Sequence, residues 1–171
     1  KLNCHPVIAN LLLQRGITSS EQAQSFFYPS LNMLHDPFLM KDMDKAVERL
    51  DRAIAQDEKI LIYGVYDVDG TTAVSLLYKY LKHHCNSDNL EYYIPDRYTE
   101  GYGVSIKGID YAAENGFSLM LITDCGIKAV EKVKYANSRQ VDIIICDHHT
   151  PGDTLPEAIA VLDPQRPDCP Y

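Results

Sequence analysis

No apolar run in this chain approaches the ~18–20 residues of a membrane span, and no charged-then-apolar leader opens it. No membrane role is expected. No Cys-x-x-Cys pair occurs among its five cysteines, which argues against a thiolate zinc site. The cysteines are odd in number and unpatterned, as in a reduced, cytoplasmic protein. Basic residues are in deficit: 16 Lys and Arg stand against 24 Asp and Glu, a formal charge of −8. That balance excludes a generic nucleic-acid-coating surface. It leaves room for a nuclease, because clustered carboxylates make a metal-free domain acidic and bound divalent cations reverse the local sign. No internal repeat or low-complexity tract is visible. The chain has no initiator Met, and it stops in the Pro-rich stretch DPQRPDCPY. The expectation is therefore a piece of a longer protein.

At 171 residues and 46% hydrophobic, the chain can bury one good core. Its organising stretch is KILIYGVYDVDGTT, Lys59–Thr72. A short continuous apolar run of this kind reads as a strand buried on both faces, the usual strand of a parallel sheet. Similar runs end in acids at Leu119–Asp124 and Val141–Asp147, the latter followed by His148 and His149. Further strands are expected at Glu91–Ile94 and Ala158–Leu162. Between them lie helical patterns at Thr71–His84, from Ser105 to Asn115, and at Lys128–Arg139. Strand–helix alternation at this spacing predicts an α/β fold, mainly a parallel β-sheet flanked by helices. Upstream, the helical patterns His5–Arg15 and Thr18–Phe27 form a short helical lead-in over residues 1–43, with Ser19 or Ser20 as an N-cap. The α/β domain over 44–171 opens with an amphipathic helix, Asp44–Gln56, capped by Asp44. His5 and His35 are isolated, in keeping with capping or packing roles. His83 and His84 fall in the last turn of a helix, where cationic character suits the macrodipole.

Three buried strands thus deliver carboxylates to one sheet edge, the edge where α/β proteins place ligands. Hard divalent cations need oxygen ligands, and Mn²⁺ also accepts imidazole. Asp67, Asp69 and Asp124 with His148 make such a set. Two metals sharing a carboxylate could activate water and stabilise a leaving oxygen in phosphoryl transfer. Asp147 is either the cap of a following helix or the acid that orients a histidine.

Asp147-His148-His149, with Asp67-Val68-Asp69-Gly70 upstream and Thr123-Asp124-Cys125-Gly126-Ile127 between, resembles the DHH phosphoesterase superfamily. More narrowly the chain resembles its RecJ-type single-strand-specific exonucleases. Arg15-Gly16-Ile17, Phe26-Phe27-Tyr28-Pro29, Ile94-Pro95-Asp96-Arg97 and Thr99-Glu100-Gly101-Tyr102-Gly103 extend that likeness over nearly the whole chain. The resemblance implies an enzyme dependent on Mn²⁺ or Mg²⁺ that degrades single-stranded DNA from its 5′ end, in DNA repair and recombination. It also implies a cytoplasmic monomer, with a single-strand-binding protein or a helicase as the class of partner. By that analogy Asp67, Asp69, Asp124 and His148 ligate metal, and Asp69, Asp124, His148 and His149 are catalytic. His149 meets the scissile phosphate or assists at the metal, Asp147 orients the histidines, and Arg97, Tyr98, Tyr102 and Gly103 lie near the nucleic acid. Arg97 can neutralise a phosphate, and a tyrosine can stack a base.

Two departures stand out. The family carries a further acid where this chain has Val65. Its next metal-binding Asp and a second, substrate-gripping domain would fall beyond Tyr171, so the chain alone is expected to hydrolyse DNA poorly. Other readings remain open on the same residues. They are a DHH enzyme acting on oligonucleotides, cyclic dinucleotides or pyrophosphate, a degenerate DHH scaffold, and a haloacid-dehalogenase-type phosphatase with Asp67 as nucleophile.

Overall fold

The computed structural model describes residues 4–171. Contacts divide them into two compact units, one ending at Asp36 and one spanning Pro37–Tyr171. In the first unit, α1 (Pro6–Gln14) begins at the N-cap His5, whose Nδ1 accepts the Val7 N–H. Pro6 at the first helical position costs no hydrogen bond there. Helix α2 (Ser20–Phe27) starts from a capping box in which Ser19 and Gln22 satisfy each other's backbone N–H groups.

The second unit carries α3 (Met43–Ala55), β1 (Ile60–Tyr63), α4 (Val68–Leu81), β2 (Leu90–Tyr93), α5 (Ile106–Glu114), β3 (Leu119–Thr123), α6 (Val130–Ser138), β4 (Asp142–Cys146) and β5 (Ala160–Leu162). The five strands form one parallel sheet in the order β2-β1-β3-β4-β5. Alternate residues feed opposite faces. Leu61, Tyr63, Met120, Ile122, Ile143 and Ile145 pack with Ile109 of α5 and Val133 of α6. Ile60, Ile62, Leu119, Leu121 and Ile144 pack with Ala46 and Ala53 of α3 and Val74 and Leu81 of α4. Helices on both faces leave the strand edges to β2 and β5, and β1 and β3 are wholly buried. The expected α/β architecture is the one observed. No helix among the described residues is long and apolar enough to cross a membrane.

This strand order places a topological switch between β1 and β3, since the chain leaves β1 toward β2 and returns to β3 on the other side. A crevice opens at the carboxyl ends of the strands at such a point. The sequence Gly64-Val65-Tyr66-Asp67-Val68-Asp69-Gly70 fills its rim. A Cβ on Gly64 would collide with Val74 Cγ2, so only glycine lets α4 lie this close to the end of β1.

Several boundaries differ from the sequence expectation. Helix α4 begins at Val68 rather than Thr71, with Asp67 as N-cap, so Asp69 sits in the first helical turn instead of on the strand end. It ends at Leu81 with Lys82 as its C-cap, leaving His83 and His84 just beyond the helix in the turn that closes it. Helix α3 follows Asp42, not Asp44. Asp42 makes no capping bond, because its carboxylate is held by Lys45 and Arg166. No helix follows β4 directly, so Asp147 is not a helix cap.

Candidate metal centre at the strand ends

Asp124 leaves β3 in the left-handed conformation, with φ of 59°. Short polar residues tolerate that region best, because their side chains hydrogen-bond locally. The twist turns its carboxylate toward the end of β4, where Oδ1 lies 2.8 Å from His148 Nε2. Asp124, His148 and His149 bring one ligand atom each within 4.8 Å of one another. Asp124 is buried, whereas both imidazoles are half exposed.

Asp147 is buried and organises the histidine loop. Its Oδ2 accepts the Ile127 N–H at 2.9 Å, and its Oδ1 accepts the His148 and His149 N–H groups and lies 2.7 Å from His149 Nδ1. Burial pushes this carboxyl up, but the donors converging on it outweigh burial and hold it below the usual range. An ionised Asp147 fixes Nδ1 as the donor of His149 and leaves Nε2 facing outward. That same hydrogen bond raises His149 above its ordinary value.

Asp67 stands across the switch point. Its Oδ1 accepts the Gly70 N–H at 2.9 Å, and its Oδ2 accepts the Tyr102 hydroxyl. The Tyr102 bond, then the Gly70 bond, hold Asp67 below the usual carboxylate range. Asp69 is exposed and lies outside the Asp124–His148–His149 group.

The loop after β2 completes the rim. Glu100 accepts from the Tyr93 hydroxyl, the Ser105 hydroxyl and the Asp96 N–H, and buried Tyr63 donates to the Gly103 carbonyl at 2.8 Å. These bonds present Tyr102 to Asp67. Arg97 lies 4.8 Å from the Tyr66 ring, and Tyr66 meets Tyr102 edge-on at 5.3 Å. Tyr98 is 89% exposed and stands apart from that stack. Tyr102, Gly103, Asp124, Gly126, Lys128 and His149 help line a cavity of about 240 Å³. A larger cleft of about 490 Å³, between α4 and β2, is lined by Val74, Tyr78 and Tyr92 and holds no acid or histidine. The chemistry therefore belongs to the smaller one.

The donor set suits a hard divalent cation. Asp124 Oδ2 is buried and has no hydrogen-bond partner among the described residues. Burial raises the Asp124 carboxyl, and the adjoining charge of Asp67 adds to that. Two carboxylates in this contact need a shared proton or a cation between them. Burial pushes the thiols of Cys125 and Cys146 up, Cys146 to about 11, and neither belongs to the Asp124–His148–His149 group.

Residues 59–170 match the model of the DHH family, N-terminal domain. The chain belongs to the DHH family. It is 42% identical over 171 residues to the single-stranded-DNA-specific exonuclease RecJ of Bacillus subtilis (strain 168), covering 100% of this chain and 22% of that protein. Among solved structures it resembles exonuclease RecJ bound to manganese, with a TM-score of 0.69 and 31% identity over 79% of this chain and 34% of the other. It also resembles RecJ in complex with Mn²⁺ from Thermus thermophilus, with a TM-score of 0.69 and 26% identity over 92% of this chain and 21% of the other. The chain spans about a quarter of the length of such relatives.

DHH membership sets aside the haloacid-dehalogenase reading. The sequence reading overlooked Tyr66, Lys128, Asp163 and Gln165. Asp163 carried a usable signal, since it ends the apolar run of β5 as Asp124 follows β3. It is fully buried, and its Oδ2 also has no partner among the described residues. Tyr66 and Lys128 gave no signal distinct from other tyrosines and lysines.

Proposed function

We propose that this chain is the metal-binding DHH domain of a 5′→3′ exonuclease that hydrolyses phosphodiester bonds in single-stranded DNA, in DNA repair and recombination. The observation that carries this reading is the buried Asp124 Oδ2, without a partner among the described residues, set against His148 and Asp67 at the β1/β3 switch point. Asp67, Asp124 and His148 hold Mn²⁺ or Mg²⁺, and Asp69 adds its carboxylate from the first turn of α4. The imidazole ligand favours Mn²⁺. When bound, the ion supplies Lewis-acid stabilisation of the phosphate and lowers the pKa of a coordinated water.

The remaining roles fall to the protein's own groups. His149, steadied through Nδ1 by Asp147, presents Nε2 to the scissile phosphate. Arg97 neutralises a phosphate, Tyr102 and Gly103 at the cavity lie along the bases, and the exposed Tyr98 meets them from the same loop. Single-stranded DNA is the substrate, a single-strand-binding protein or helicase is the class of partner, and the enzyme works as a cytoplasmic monomer. Hydrolysis belongs to the complete protein, with the isolated chain weak or inactive. Val65 does not favour the degenerate-scaffold reading, because its side chain lies buried in the core cluster.

The test is Mn²⁺ titration of the complete protein, wild type and Asp124→Asn, beside digestion of 5′-labelled single-stranded and duplex DNA. Metal binding lost in the variant, with single strands alone degraded from the 5′ end, is the expected result. Equal binding by both proteins, or preference for duplex, would sink the proposal.

A further inference from the structure

We infer that Gln165 is a positioning residue for the metal centre: it braces the His148–Thr150 loop from the turn that follows β5. The inference rests on the metal-binding reading above.

The loop after β4 needs such support. His148 and His149 side chains are 58% and 51% exposed, so core packing does not fix their rings. Their placement depends on their bonds to Asp124 and Asp147 and on the backbone that carries them to those partners. On its inner side that backbone is tied by Asp147, whose N–H donates to the Leu162 carbonyl at 2.9 Å and whose carboxylate takes the next two N–H groups. On its outer side the tie is Gln165. Its Nε2 donates to the His148 carbonyl, and its Oε1 accepts the Thr150 hydroxyl at 3.2 Å. One side-chain amide thus spans both ends of the segment that presents the two imidazoles.

Gln165 can serve as a brace because its own backbone is held. Asp163 is fully buried, and its Oδ1 accepts the Gln165 N–H at 2.7 Å. Pro164 fixes one dihedral of the turn, and the Arg166 N–H reaches back to the Asp163 carbonyl. Arg166 is itself buried and tied to Asp42, to the Val161 carbonyl and to Asp168. The Gln165 side chain, by contrast, is on the surface. Replacing it empties no core and removes only the two bonds to the loop. Groups that orient metal ligands in this way typically control affinity by ~10–100-fold.

The test uses the complete protein with Gln165→Ala, Gln165→Glu and Thr150→Val. Three quantities are read: melting temperature, hydrogen exchange of segment 147–150 without metal, and Mn²⁺ affinity by calorimetry. Gln165→Glu keeps an acceptor for Thr150 but loses the donor to His148. We expect both Gln165 variants to exchange this segment faster and to bind Mn²⁺ about tenfold more weakly, at unchanged melting temperature. Thr150→Val, which removes one of the two ties and keeps the donor to His148, should shift exchange and affinity in the same direction by a smaller amount. Unchanged exchange in both Gln165 variants would overturn the brace, and faster exchange with unaltered Mn²⁺ affinity would overturn its role at the metal. If the wild type binds no Mn²⁺ while exchange still responds to Gln165, the metal reading fails and the brace stands.

Discussion

The Asp124 carboxylate and the His148 imidazole leave neighbouring strands and meet at 2.8 Å, with the second oxygen of Asp124 buried and without a partner among the described residues. A half-satisfied buried carboxylate is costly by itself, and a cation at that oxygen removes the cost. Asp124→Asn is a clean probe, because asparagine tolerates the left-handed backbone at this position. Mn²⁺ affinity should fall by more than the ~10–100-fold typical of outer-shell changes, with the fold intact. Calorimetry paired with circular dichroism checks both halves of that statement.

Gly70 holds the start of α4 against the loop after β1. A Cβ there would lie 2.6 Å from the Val65 carbonyl oxygen and 2.8 Å from the Val65 nitrogen, both backbone atoms that cannot swing aside. Gly70→Ala should destabilise the protein by about 2–3 kcal/mol through overpacking. It should also weaken metal binding, because the Gly70 N–H is bonded to Asp67. A melt and a Mn²⁺ titration on the same sample measure the two effects, and an unchanged melting temperature would contradict the close approach.

Val65 stands where the sequence resemblance leads one to expect an acid, and its side chain is fully buried in the cluster that contains Tyr63 and Ile122. A carboxylate introduced there loses its hydration, which is costly for a charged group. Val65→Asp should therefore cost at least about 2 kcal/mol of stability while changing Mn²⁺ affinity less than about threefold. Tighter metal binding with no loss of stability would show that the missing acid matters.

Away from the site, Arg49 of α3 is buried between Glu58 and Asp142, with its Nη2 2.7 Å from Glu58. Burial pushes Glu58 up, but the Ser118 hydroxyl and the Arg49 guanidinium outweigh it, leaving the folded carboxyl below its ordinary value of 4.5. A lowered pKa means that this group's stabilisation is present above 4.5 and is lost as pH falls through the folded value. The melting temperature should accordingly decline on the acid side of that point. Arg49→Met should destabilise by about 2–3 kcal/mol at neutral pH, less than a fully buried pair because Asp142 is partly exposed, and should flatten the acid decline. Thermal melts from pH 3 to 7 on both proteins decide it.

The sequence by itself determined the architecture. Short continuous apolar runs such as ILIY and LMLIT read as strands buried on both faces, and the helical stripes between them point to a parallel sheet covered on two sides. It also determined the chemistry available, because acids and histidines at the ends of such strands fall on one edge whatever the details. Tertiary structure decided which of them meet. Asp67 and Asp69 look equivalent in the sequence, but the helix starts at Val68, so one caps it beside Asp124 while the other sits exposed in the first turn. No local pattern fixes that start, because it depends on how closely α4 can approach the end of β1 at Gly64 and Gly70. Gln165 was equally hidden, since its role arises from bonds between β5's turn and β4's loop. Such contacts exist only once neighbouring strands are in register, and they are absent from any short window of the chain.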